Sequence, residues 1–165
     1  MRTVGMAADY VFLDRWTIPA PIDVAYRVVG DVAEYHRWWK GFAASAGDPW
    51  PPEPGKRSTV AVRSFLPYTV HLGLECLDAI EPYRIHTRLS GDFEGTGTWM
   101  LEHRPDGTTL ATLDWRPTVV MPLVRRLTPV LRPLFRANHA AVMRWGQQRV
   151  GADAARSAGG PRRTS

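Results

Sequence analysis

The feature that most limits how this chain can fold is a change of hydrophobic period. A long run of strand-like alternation gives way to one helix-forming stretch, roughly Met121 to Val150. At ~100° per residue, Leu131, Leu134, Phe135, Asn138, Val142 and Trp145 share one side of that stretch. Arg132, Arg136, Arg144, Ala137 and Ala140 lie away from its centre. Asn138 therefore falls in the middle of an apolar face. A buried amide without partners costs about 1–3 kcal/mol, so Asn138 needs a protein partner, a water or a ligand.

The strands are legible one by one. Tyr10, Phe12, Asp14, Trp16 and Ile18 alternate with Val11, Leu13, Arg15 and Thr17. Pro19-Ala20-Pro21 ends this strand. Ile22 to Val29 reads as a short helix with Asp23 in its first turn, broken at Gly30. Asp31 and Glu34 have the spacing of a capping box for a second short helix, Val32 to Trp39. Gly41 to Gly55 reads as a Gly/Pro-rich loop. Strands are then expected at Ser58–Phe65, from beyond Tyr68 to about Ile80, and at Tyr83–Ser90, Phe93–His103 and Thr108–Arg116. Pro105-Asp106-Gly107 marks the last hairpin. Pro129 and Pro133 each remove an intrahelical hydrogen bond, which places the start of the long helix near Val130.

The expected architecture is α+β: an antiparallel sheet of six or seven strands, two short helices and one long C-terminal helix. Such a sheet has one apolar face, and only the long helix is large enough to cover it. Phe93, Gly95, Gly97, Trp99 and Leu101 share that face. Two glycines in succession mark either a bend or floor space for a ligand. Val70, Leu72, Leu74 and Cys76 share a face, as do Ala111, Leu113 and Trp115. Trp38, Trp39 and Phe42 are placed to close one end of the groove.

With 44% hydrophobic and 22% charged residues the chain is of ordinary globular composition. It has no apolar run of the ~20 residues that span a bilayer. Its start lacks the apolar segment of a secretory signal, and the single cysteine, Cys76, fits a reducing compartment. These signals point to the cytoplasm. Residues 1–8 read as a flexible leader, 9–151 as one domain and 152–165 as a disordered basic tail. The net charge of +5 comes almost wholly from arginine, since Lys40 and Lys56 are the only lysines. Much of it lies along the last helix, where a solvated face accounts for most of it; nucleic acid is not expected as a partner, and a basic-surface module that binds nucleic acid or an acidic partner is the least favoured reading. Oligomeric state is not encoded in these signals.

No familiar reaction motif is present. His36, His71, His86, His103 and His139 lack metal-ligand spacing, so neither a metal nor a cofactor is called for. Cys76 reads as an inert buried thiol. The glycines from Gly91 to Gly97 lead into a strand rather than a helix and make no phosphate loop. There is no Gly-x-Ser-x-Gly elbow. Asn138, as a hydrogen-bonding group, and His139, whose ordinary pKa lies near neutrality, are the candidates for chemistry. Arg63, Tyr35 and Arg88 are further candidates for a cavity mouth.

Several stretches carry a family resemblance: Asp31-Val32-Ala33-Glu34-Tyr35-His36-Arg37-Trp38-Trp39, Leu66-Pro67-Tyr68, Gly91-Asp92-Phe93-Glu94-Gly95-Thr96-Gly97-Thr98-Trp99 and Pro133-Leu134-Phe135-Arg136-Ala137-Asn138-His139. With Val142-Met143-Arg144-Trp145-Gly146 they resemble the START-like helix-grip proteins (the SRPBCC superfamily), particularly the polyketide cyclase/dehydrase-like branch. The resemblance implies a curved sheet gripping the last helix around an apolar cavity. It implies a small hydrophobic ligand, aromatic or polyketide-like, and either cyclisation and dehydration or the carriage of a lipid or quinone. Asn138 and His139 match an Asn-His pair recurrent in that branch. The expected ligand-binding residues are Trp38, Trp39, Phe42, Val62, Leu72, Leu74, Phe93, Gly95, Gly97, Trp99, Trp115, Leu131, Phe135, Asn138 and Val142.

Overall fold

The computed structural model describes residues 10–159; the leader expected over residues 1–8 lies outside them. Strand β1 (Phe12–Ile18) is followed by helix α1 (Ile22–Gly30), a 3-10 turn (Val32–Glu34) and a single-turn helix α2 (Tyr35–Trp38). Strands β2 (Phe42–Gly47), β3 (Arg57–Val62), β4 (Val70–Ile80), β5 (Arg84–Gly91), β6 (Phe93–His103) and β7 (Thr109–Val119) lead to helix α3 (Pro122–Gly159). The seven strands form one antiparallel sheet in the order β1-β7-β6-β5-β4-β3-β2. The sheet curls around α3, which is the α+β helix-grip arrangement. Among the described residues no helix is long and apolar enough to cross a membrane.

Three elements depart from expectation. The second short helix is split into a 3-10 turn and one α-helical turn, and the side chain of Asp31 makes no cap. Strand β2 occupies what reads as loop; its Ala and Ser residues carry little strand signal, and pairing with β3 supplies the order. Helix α3 begins at Pro122, well before Val130. Proline is tolerated at the first helical position because its missing N–H has no intrahelical partner there. Pro129 and Pro133 stand inside the helix on its exposed side, so water can reach the carbonyls that they leave unbonded.

The other end of α3 also runs further than the sequence suggests. The tail expected from residue 152 is helical through Gly159, and Val150 and Ala154 are fully buried. The buried stripe is Phe135, Val142, Met143, Gly146, Val150 and Ala154. The helix is therefore rotated relative to the simple wheel: Leu134, placed there on the apolar side, is exposed. Gly146 sits where α3 crosses the aromatic core. A Cβ on it would lie 2.5 Å from Trp16 Cη2 and 2.6 Å from the Trp39 ring.

The core has two parts. The larger surrounds Trp16, Trp38, Trp39 and Trp99 and takes in Ile18, Val29, Ile85, Val142 and Val150. The smaller joins Tyr10, Leu66, Val119 and Phe135 near the start of α3.

Candidate functional site

Between these two clusters the sheet and α3 leave a cavity of about 170 Å3. Its floor comes from Leu72 and Leu74 of β4, Phe93, Gly97 and Trp99 of β6, and Trp115 of β7. Trp39, Phe42 and Val62 close one side, and Phe135, Asn138, His139 and Val142 of α3 form the roof. Tyr35 also lines it; its hydroxyl donates to Val29 O, and burial holds its pKa above the usual phenol range. Trp39 is pinned to the helix by its indole N–H, which donates to Val142 O at 2.8 Å.

Two neighbouring polar side chains interrupt this apolar roof. Asn138 Oδ1 accepts the Ser64 hydroxyl, which ties α3 to the β3–β4 connection. A helix–sheet tie is one of the roles open to a mid-face asparagine. It uses the carbonyl end of the amide and leaves the NH2 group free to donate. His139 Nε2 stands 2.6 Å from Asp14 Oδ2, with the two side chains 11% and 24% exposed. Where Asp14 accepts as a carboxylate, Nε2 is the donor of this contact and Nδ1 is the ring nitrogen outside it. The imidazole also lies flat over Phe12 (centroids 4.0 Å, 26°) and Trp115 (5.1 Å, 19°). Phe12 and Trp115 face each other across the β1–β7 ladder, so the sheet itself supplies this two-ring platform.

The signal for Asp14 is present in the sequence, where it shares the β1 alternation with Phe12, Trp16 and Ile18 on the inward side. A carboxylate on an apolar strand face requires a partner, and α3 brings His139 to it. Ser64 has no comparable signal, because its position depends on the path of the β3–β4 connection.

Of the residues expected around the ligand, Trp39, Phe42, Val62, Leu72, Leu74, Phe93, Gly97, Trp99, Trp115, Phe135, Asn138 and Val142 line the cavity. Trp38, Gly95 and Leu131 do not. Trp38 packs behind Trp39 within the core (centroids 5.2 Å). Leu131 packs into the smaller cluster. Gly95 is the bend rather than the floor: its φ is +133°, and a Cβ there would lie 2.0 Å from Arg116 O. Gly97 lines the cavity, and a Cβ there would lie 3.3 Å from Thr87 Oγ1 and 3.6 Å from Trp115 Cδ1, so its missing side chain lets these two neighbours close in. Arg63 is exposed beyond the end of β3. Arg88 is exposed and paired with Glu75 at 3.4 Å. Cys76 is buried, and its pKa is raised by that burial.

A family model described as polyketide cyclase/dehydrase and lipid transport matches residues 14–154. No curated protein matches the chain. A Thermus thermophilus protein of solved structure is similar at 22% identity and TM-score 0.67, over 87% of this chain and 99% of that one. The Zhui aromatase/cyclase from Streptomyces sp. R1128 is similar at 15% identity and TM-score 0.67, over 92% and 99%. A START superfamily protein from Mycobacterium smegmatis is similar at 18% identity and TM-score 0.55, over 81% and 97%.

Proposed function

Because the chain belongs to the polyketide cyclase/dehydrase and lipid transport family, we propose that its cavity binds a small hydrophobic molecule, aromatic or polyketide-like, and promotes its cyclisation or dehydration. The observation that carries this reading is the pairing of Asn138 and His139 on the roof of a largely apolar cavity. Apolar pockets with a few placed polar groups suit such ligands. The amide NH2 of Asn138 donates to a ligand oxygen. Nδ1 of His139 takes a proton from the carbon beside a carbonyl. The resulting imidazolium, stabilised by Asp14, returns that proton to the hydroxyl leaving as water. Trp115 and Trp99 restrict the ligand to one conformer, which lowers the entropic part of the barrier.

Size bears on the ligand. An apolar cavity of about 150 Å3 holds one benzene, so the ~170 Å3 here accommodates roughly one ring. A longer molecule extends through the mouth between α3 and the β3–β4 connection, and the Ser64–Asn138 bond lies on its path.

Native mass spectrometry of the purified full chain tests occupancy. A co-purifying apolar molecule is expected, and its loss in a Trp115→Ala chain that retains its circular dichroism places it in the cavity. An empty protein that also fails to gain thermal stability from any aromatic or polyketide-like compound removes the reading. His139→Ala separates the second reading, a non-catalytic carrier for a lipid or quinone. That reading is favoured by the internal hydrogen bonds that already engage Asn138 and His139. Catalysis requires that this variant bind ligand and lose turnover by about 100-fold or more.

A further inference from the structure

The first half of α3 carries a second apolar stripe that is exposed among the described residues. Leu123, Leu127, Val130 and Leu134 follow one another at intervals of four, three and four residues, so they lie within about 60° of one another on the helix. They are 70%, 46%, 77% and 42% exposed. The stripe is turned by roughly 100° from Phe135 and Val142, which face the sheet. On the β3–β4 connection Phe65 and Tyr68 are also exposed, and Ser64 of that connection is bonded to Asn138 of the same helix. Exposed apolar side chains therefore stand on both lips of the cavity.

Charge selects what covers them. Every charged residue between Asp114 and Asp153 is an arginine. Among the described residues, Arg125, Arg126, Arg132 and Arg136 make no ion pair. Arg125, Arg132 and Arg136 project from the side of α3 opposite the stripe, with Arg132 over the Tyr10 ring. A helix with leucines on one side and arginines on the other is the pattern of one lying in the interface of an anionic bilayer.

We propose that this end of the molecule docks on an anionic lipid bilayer. Leu127, Val130 and Phe65 enter the headgroup–acyl boundary, the arginines are drawn to the lipid charge, and the cavity mouth faces the membrane. The proposal rests on the rim and not on the identity of the ligand.

The test is co-sedimentation of the full chain with vesicles of phosphatidylcholine alone and of phosphatidylcholine mixed with phosphatidylglycerol. Retention on the mixed vesicles only, weakening as salt is raised, is expected. Val130→Glu should reduce that retention by about tenfold or more. The Arg125→Gln/Arg126→Gln pair should reduce it by about fivefold per arginine. Both variants change exposed side chains and should keep the parent thermal midpoint. No retention on anionic vesicles overturns the proposal, as does retention indifferent to Val130→Glu. A dimer in sedimentation velocity that Val130→Glu dissociates assigns the stripe to self-association and also overturns it. Ligand capture in solution, followed by native mass spectrometry, should be unchanged by Val130→Glu, so failure of the cavity reading and failure of docking remain distinguishable.

Discussion

The two halves of α3 are one helix built to two standards. From Val142 to Ala154 the inward residues are small or well packed. Gly146 fits against Trp16 and Trp39, Val150 and Ala154 are fully buried, and Trp39 donates to Val142 O. From Pro122 to Leu134 the helix holds two internal prolines and exposes Leu123, Leu127, Val130 and Leu134. Asn138 and His139 stand where the two halves meet. One half anchors the helix to the larger core cluster; the other packs Val124 and Leu131 on the smaller one and leaves a whole side exposed. The comparison teaches that helix length and helix burial follow separate rules: hydrogen bonding extends α3 along its whole length, while packing is dense under its second half and reduced to Val124, Thr128 and Leu131 under its first.

Substitutions can break this contrast or sharpen it. The largest effect is expected at Trp16, which is 2% exposed and within 6.5 Å of the rings of Trp38, Trp39 and Trp99. Trp16→Ala should lower the unfolding free energy by about 3–5 kcal/mol in urea titrations. Next is Gly146→Val, which overpacks the same crossing and should cost about 1–3 kcal/mol by the same measurement. A neutral result there would mean that the anchored half is looser than its contacts imply.

The anchored half should also respond to alkali through Tyr35. Its pKa is raised in the fold by burial, whereas in the unfolded chain it lies near 10. The stabilising contribution is therefore complete below pH 10. It is lost as pH rises toward the folded value, because only the unfolded chain ionises in that window. A fall of about 1.4 kcal/mol per pH unit above 10 is expected from this group, and comparison with Tyr35→Phe isolates it. The smallest effect belongs to the mouth. Val130→Ala should shift stability by less than about 0.5 kcal/mol, and a larger loss in thermal melting would show that its side of the helix is packed after all.

Much of the fold was legible because alternation and turn residues are local signals. The sheet, its antiparallel order and the long helix follow from apolar period and from punctuation such as Asp106-Gly107. What escaped depended on distant partners. Strand β2 is ordered by pairing with β3 rather than by its own small side chains. The first turns of α3 form despite prolines because those prolines face outward. In the site, strand parity identified Gly97, Trp99 and Trp115 as inward, but parity could not tell that Gly95 bends while Gly97 lines the cavity. Asn138 was legible as misplaced and His139 as its neighbour. Their partners, Ser64 and Asp14, lie 74 and 125 residues away in the chain, and no periodicity joins positions so far apart.

The aromatic core has an optical consequence. Trp39, Trp99 and Trp115 touch the cavity, while Trp16 and Trp38 lie directly behind them, with centroids in the Trp16 group 4.9–6.5 Å apart. At such separations excitation passes readily from ring to ring. Light absorbed anywhere in the cluster can therefore reach an indole that touches whatever fills the cavity. A conjugated guest would drain the emission of several tryptophans at once, so the fold carries its own gauge of occupancy without an added dye.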